Sequence, residues 1–236
     1  MNQQFLGQWY PLLEEELNKD YFIKLKDSLR REYTTYKCCP APNDIFKAFE
    51  LCPPEKVRAI MMAQDPYPYG NHAHGLAFST LQKEIPFSLR MIYREVDRDV
   101  VRTSNQEEFL KAFPNGDLTP WAKKGIFLIN TCLTVRSGTP TSHKGLGWEE
   151  FTNEVLRILW KDDNPKVFML WGKSAQDSLL TALGGIPEYK HMILEAGHPA
   201  SGSHGVDKYS GCNHFSKANR WFQQNNLEPI NWRVNE

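Results

Sequence analysis

The sequence predicts an α/β fold: one domain over residues 1–236, built on a mainly parallel sheet with helices on both faces. Three observations carry this. Four short apolar runs, Val57 to Met62, Ile126 to Cys132, Val167 to Trp171 and Met192 to Leu194, read as buried strands bounded by turn signals. Helical patterns separate them, and strands alternating with helices imply a parallel sheet. A length of 236 residues suits one large domain.

Taken in order, residues 12 to 33 repeat Leu12, Leu13, Leu17, Phe22, Leu25 and Leu29 near helical spacing, which predicts a helix-rich start. Cys38-Cys39-Pro40-Ala41-Pro42 interrupts it, and Asn43 is placed to cap a short helix, Asp44 to Phe49. After the first strand, Ser88 is expected to cap a helix that begins behind Pro86. Residues 97 to 118 are polar and end in Pro114-Asn115-Gly116-Asp117, which reads as a surface excursion. Helices are expected from Trp148 to Trp160, after Gly172-Lys173-Ser174, and over 214 to 224. The tryptophans mostly read as core.

Composition narrows the function. Lys+Arg and Asp+Glu each number 28, so a uniformly basic surface is excluded, although a local basic face is not. No apolar run of about 18 residues is present, so no membrane span is expected. The first residues lack a basic segment followed by an apolar one, so no secretory signal is expected. Five cysteines without a CxxC pair or zinc spacing point to free thiols in a reducing compartment.

The chemistry concentrates at strand ends. The loop AQDPYPYGNHAHGLAFS, residues 63 to 79, follows the first strand and holds Asp65 extended before Pro66. Asn130 ends the second strand and His198 follows the fourth. Parallel strands bring such ends to one edge, where open α/β sheets bind ligands. Asp65 can hold or activate water, Asn130 offers a donor and an acceptor together, and His198 can stabilise developing negative charge. Each residue alone has an ordinary reading, as a cap, a turn residue or a satisfied loop histidine. Gly172-Lys173-Ser174 lacks the upstream glycine of a phosphate-binding loop, which excludes nucleotide hydrolysis of that type. His72 and His74 have no acidic partner at metal spacing, and no GxSxG motif is present.

These motifs resemble those of the family 1 uracil-DNA glycosylases almost end to end. The water-activating loop, the strand IFLINTCLTV, the stretch SHKGLGWEEFT, the VFMLWGKSAQ turn, the GHPASGS loop, SGCNHFSKANRWF and the closing PINW fall in family order. The resemblance implies a four-stranded parallel sheet flanked by helices and a monofunctional hydrolase that releases uracil from DNA, leaving an abasic site. It implies that Asp65 activates the water and His198 donates to the leaving base. Asn130 would read the uracil edge, Phe78 stack on the base, Tyr67 exclude the thymine methyl, and the Gln64 amide add a contact. The expected DNA contacts are Ser88, Gly172, Lys173, Ser203 and His204. No metal or cofactor is implied. The expected partners are uracil-containing DNA, single- or double-stranded, and a proteinaceous glycosylase inhibitor. A monomer in the cytoplasm of a bacterial or viral host cell is expected, with nucleus or organelle left open.

The chain also departs from the family pattern. Lys173 and Ala200 stand where serines are expected, and Pro68 replaces a histidine. Gly202 stands in place of the intercalating leucine, in a loop one residue longer than usual, and only Pro86 remains of a proline-rich loop. His204 and Tyr209 are the candidates for a substitute wedge. A catalytically weak DNA-binding module in a replication or inhibitor complex is the alternative these departures keep open.

Overall fold

The computed structural model describes residues 3–185, 190–205 and 208–235, the side chains of Gln3, Gln4, Ser203 and His204 excepted. Its centre is a four-stranded parallel sheet. The strands are β1 (Ala59–Ala63), β2 (Ile126–Asn130), β3 (Val167–Trp171) and β4 (Met192–Ala196), in the order β2-β1-β3-β4. Every residue of the first three is buried. Both of their faces are covered, which is why they read as unbroken apolar runs rather than alternations. The coverage is visible in β3. Phe168 meets Trp160 on one face, at 5.4 Å between ring centroids, and Trp171 meets Phe215 on the other, at 6.0 Å.

Six helices of eight or more residues pack around this sheet: α1 (Tyr10–Leu17), α2 (Asp20–Thr35), α3 (Phe87–Val96), α4 (Trp148–Lys161), α5 (Lys173–Leu183) and α6 (His214–Gln224). The expected helical start is two helices, because the chain turns at Asn18 and Lys19, where Lys19 is extended. Asn43 does not cap a helix. It lies within the 3-10 turn Pro42–Asp44, and the following helix, Lys47–Leu51, begins behind Phe46 without a side-chain cap. Ser88 is inside α3 rather than at its cap, and its hydroxyl is turned towards Tyr67.

Residues 97 to 118 are not a surface excursion. A π-helical turn, Asp97–Val101, and a helix, Gln106–Ala112, fold there, with Phe113 and Leu118 buried. Asp99 accepts the Ser216 amide at the start of α6, at 2.8 Å. Polar composition hid this because the buried side is only a narrow stripe of a short helix. A two-residue antiparallel ribbon, Cys38–Cys39 with Val135–Arg136, was also outside the sequence expectation.

Register levels the strand ends. Ala63 pairs with Asn130, Met62 with Leu170, and Trp171 with Ala196. Asp65, Asn130, Gly172 and His198 therefore leave the sheet within two residues of one another. The chain goes from β1 to β2 on one side and then to β3 on the other. The crevice between β1 and β3 is thus a topological switch point, the place where such sheets bind ligands.

Candidate active site

A cavity of about 430 Å³ opens at that crevice, lined among others by Gln64, Asp65, Tyr67, Phe78, Gly172 and His198. The β1 loop forms one wall. Asp65 is half-buried, and its Oδ2 accepts the Thr141 amide at 2.8 Å and Gln64 Nε2 at 3.2 Å. Phe78 is buried in left-handed backbone, φ 63°, which a bulky residue enters only when its surroundings impose it. Tyr67 Oη donates to the Phe78 carbonyl at 3.0 Å. On the far side of that residue, Ser79 Oγ donates to the Gly116 carbonyl and accepts the Leu118 amide at 2.8 Å. The Phe78 ring is thereby held 5.7 Å from Trp171 and 6.1 Å from the His198 ring, between centroids.

The tautomer of His198 follows from its neighbour. Its Nδ1 accepts the Ala200 amide at 3.1 Å, so in the neutral ring the proton is on Nε2. Burial lowers the pKa of His198 and keeps the ring neutral. The result is a neutral imidazole with one N–H available as a donor. Gly172 makes this placement possible. A Cβ there would lie 3.1 Å from His198 Cβ, and the backbone has φ 91°. Asn130 is 5% exposed, yet its Oδ1 has no hydrogen-bond partner among the described residues. Buried polar atoms are nearly always satisfied, so this acceptor at the end of β2 is a candidate to receive a donor from outside the chain.

The structure also shows where the other predicted residues stand. Ser88 is buried, and because the Tyr67 proton goes to a carbonyl, Ser88 Oγ donates to Tyr67 Oη at 2.8 Å. Lys173 is exposed and paired with Asp177 at 2.6 Å. The side chains of Ser203 and His204 lie outside the described residues. Tyr209 is not a wedge candidate: it is fully buried, edge-on to Trp171 at 5.0 Å, because the chain returns there to the sheet. His72 and His74 face the hydroxyls of Thr80 and Ser79, at 3.1 and 2.6 Å. Sequence reasoning missed Thr141, whose amide reaches Asp65 from 76 residues away. Nothing in Thr-Pro-Thr-Ser announces it, since the left-handed turn that aims the amide has neither Gly nor Asn.

The cavity combines an acid at a water-accessible edge, a neutral imidazole donor and an aromatic wall, and Asn130 ends the strand beside it, an arrangement suited to a flat, hydrogen-bonding base. Residues 49–223 match the model of the Uracil DNA glycosylase superfamily. Uracil-DNA glycosylase of Oceanobacillus iheyensis is 41% identical over 241 residues, covering 100% of this chain and 98% of the relative. That of Borreliella burgdorferi is 42% identical over 228 residues, 95% and 96% of the two chains. Mimivirus uracil-DNA glycosylase superposes with a TM-score of 0.82 at 25% identity, covering 98% of this chain and 89% of that one. A variant of the mimivirus enzyme in complex with UGI gives the same score and identity, covering 98% and 91%. The chain belongs to the uracil-DNA glycosylase superfamily, within family 1. It is a hydrolase of the uracil–deoxyribose N-glycosidic bond in DNA, the first step of base excision repair.

Proposed function

We propose that the chain performs this hydrolysis with Asp65 holding the water and His198 Nε2–H stabilising the departing uracil anion. The observation that carries the reading is the buried, unpaired Asn130 Oδ1. Uracil presents an N–H at N3, which suits an acceptor, whereas cytosine presents a lone pair there and would leave the amide oxygen unsatisfied. An unpaired buried acceptor is the strong form of discrimination. Phe78 stacks on the base, and Tyr67, fixed through Ser88, closes the position of the thymine methyl. The Gln64 amide adds a further contact to the base. A base inside a duplex is unreachable, so uracil must be flipped out first, at a cost of roughly a few kcal/mol. A neutral donor preset in a dry pocket then lowers the barrier to bond cleavage.

The DNA-facing surface supports a preference for single-stranded substrate. Gly202 has no side chain to insert between bases, and apolar wedges are what help other proteins unstack them. Ser88 lines the cavity and is a further proposed DNA contact. Gly172 and Lys173 open α5 beside the cavity, where helix N-termini favour phosphate. Lys173 exchanges its exposed ion pair with Asp177 for the DNA backbone, which makes binding salt-dependent. Ser203 and His204 follow Gly202 in the same loop and complete the proposed DNA contacts. The partners are uracil-containing DNA and an inhibitor protein of the kind that UGI is for the mimivirus enzyme. The chain acts as a monomer in a reducing cytoplasm, in keeping with its free cysteines.

Release of free uracil from matched single-stranded and duplex oligonucleotides tests this reading. The single strand is expected to react faster, and Gly202→Leu to raise only the duplex rate. Equal rates on both substrates, with no response to Gly202→Leu, would remove the strand preference. Failure to release uracil from either substrate would overturn the reading as a whole.

A further inference from the structure

Thr141 stands in left-handed backbone, φ 63°. A β-branched residue there is an outlier, because its side chain crowds the backbone, and it persists only where the surroundings over-determine it. Phe78 and Thr141 are two of five non-glycine residues with positive φ among the described residues, and both adjoin the cavity chemistry. What imposes the conformation on Thr141 is on both sides of it. Before it, the Ser137 amide bonds the Lys37 carbonyl at 2.8 Å, and the Gly138 amide bonds the Pro68 carbonyl at 2.6 Å. The second of these ties the segment to the Asp65 loop itself. After it, Ser142 Oγ accepts the Arg136 amide at 2.8 Å.

His143 then anchors the segment in the core. It is fully buried, with Nδ1 at 2.7 Å from Thr134 Oγ1, which also accepts Trp148 Nε1 at 2.7 Å. Its Nε2 is 3.3 Å from Glu32 Oε2, and Arg136 holds the same carboxylate with two nitrogens. This chain of contacts, buried at His143, Thr134 and Trp148 and partly exposed at Glu32 and Arg136, joins α2, the ribbon and the start of α4. The one backbone group of Thr141 that faces the site is its N–H, 2.8 Å from Asp65 Oδ2.

We propose that the Thr141 amide, held by the His143 anchor, is a positioning group for catalysis. It fixes the rotation of the Asp65 carboxylate so that Oδ1 is directed to the water. The inference rests on the assignment of Asp65 as the water-holding group. A carboxylate on a solvent-accessible edge samples several orientations, and a preset amide donor removes that freedom before substrate arrives. The threonine side chain takes no part. Its identity matters only in that the backbone is forced into the left-handed turn around it.

The test separates the N–H from the side chain. Replacing the Thr141 amide by an ester, with an otherwise unchanged side chain, deletes the donor and keeps the shape. Single-turnover uracil release is expected to fall roughly 10- to 100-fold, the range for a hydrogen bond to a charged group. The Kd for uracil-containing DNA and the unfolding midpoint should stay near those of the unmodified protein. His143→Ala should lower the rate when Asp65 is present and have no further effect in Asp65→Ala. A parent-like rate in the ester variant overturns the proposal. So does an equal loss from His143→Ala in both backgrounds, which would mark the anchor as purely structural. Absence of uracil release by the unmodified protein would instead strike the underlying assignment of Asp65.

Discussion

At the N-terminal ends of the strands, Lys166 is fully buried, and its ammonium donates to the Val57 carbonyl at 3.0 Å and pairs with Asp162 at 2.8 Å. His191 beside it accepts the Lys166 amide at Nδ1 and donates from Nε2 to the Trp160 carbonyl, at 3.2 and 2.9 Å. At the C-terminal ends of the same sheet, Asn130 is equally buried, but its Oδ1 is unpaired. Among the described residues, His198 uses only Nδ1 on the protein. His191 is buried and His198 half-buried, each beside a second, buried polar group, and desolvation lowers the pKa of both histidines. What separates a structural end from a chemical end is whether the hydrogen bonding is complete. An incomplete set costs stability, and the aromatic and aliphatic core between the two ends supplies it.

The sharpest way to break this comparison is to substitute one group at each end. Asp65→Asn and His198→Leu are expected to lower single-turnover uracil release by roughly 10²- to 10⁴-fold, with unfolding unchanged. Lys166→Met should do the opposite. It leaves the Val57 carbonyl unsatisfied and Asp162 without its partner, so stability should fall by about 3 kcal/mol while the rate per folded molecule stays constant. Denaturant unfolding and a single-turnover assay on the same preparations decide the matter. A rate loss in Lys166→Met comparable to that in Asp65→Asn would erase the distinction between the ends.

Acid provides a second, smaller lever. His214 accepts Trp171 Nε1–H at 3.0 Å, and burial lowers its pKa to about 4. Below the free-imidazole value of about 6.5, the unfolded chain takes up a proton that the folded chain refuses until about pH 4. Stability from this residue is therefore full above pH 6.5 and falls as pH drops through that window, by roughly 3 kcal/mol in all. His74, His143, His191 and His198 shift in the same direction. His214→Gln keeps an acceptor for Trp171 and should flatten the acid limb of a stability profile. An unchanged slope between pH 6.5 and 4 would show that other groups set it.

Base choice gives the smallest expected signals. Tyr67→Ala should gain detectable release of thymine, because the ring proposed to occupy the methyl position is gone. Asn130→Asp should gain release of cytosine. Product analysis on oligonucleotides carrying each base reads both, and folded variants that gain neither would show that the selectivity lies elsewhere.

How much of this was legible in the sequence depended on the range of each signal. The strands showed because double burial makes each one a continuous apolar run, and the last three long helices showed because their stripes are regular. Asp65, Asn130 and His198 showed because each punctuates a strand end. The rest depends on contacts without a local signature. The turn at Asn18–Lys19 lies inside a repeat that keeps helical spacing across it. Ser88 looked like a cap because it follows a proline, yet its hydroxyl is fixed by Tyr67, 21 residues earlier. The ribbon at Cys38–Cys39 and the Thr141 turn are set by partners about 75 to 100 residues away, which no window of the sequence contains.

The most direct test of the contrast between the two ends is a titration with free uracil, followed by NMR of the histidine rings and side-chain amides. The Asn130 amide and the His198 Nε2–H should shift and become protected as uracil saturates the site, while the His191 ring stays where it was. Saturating uracil that leaves Asn130 and His198 unmoved, or that moves His191 as much as His198, would contradict the account.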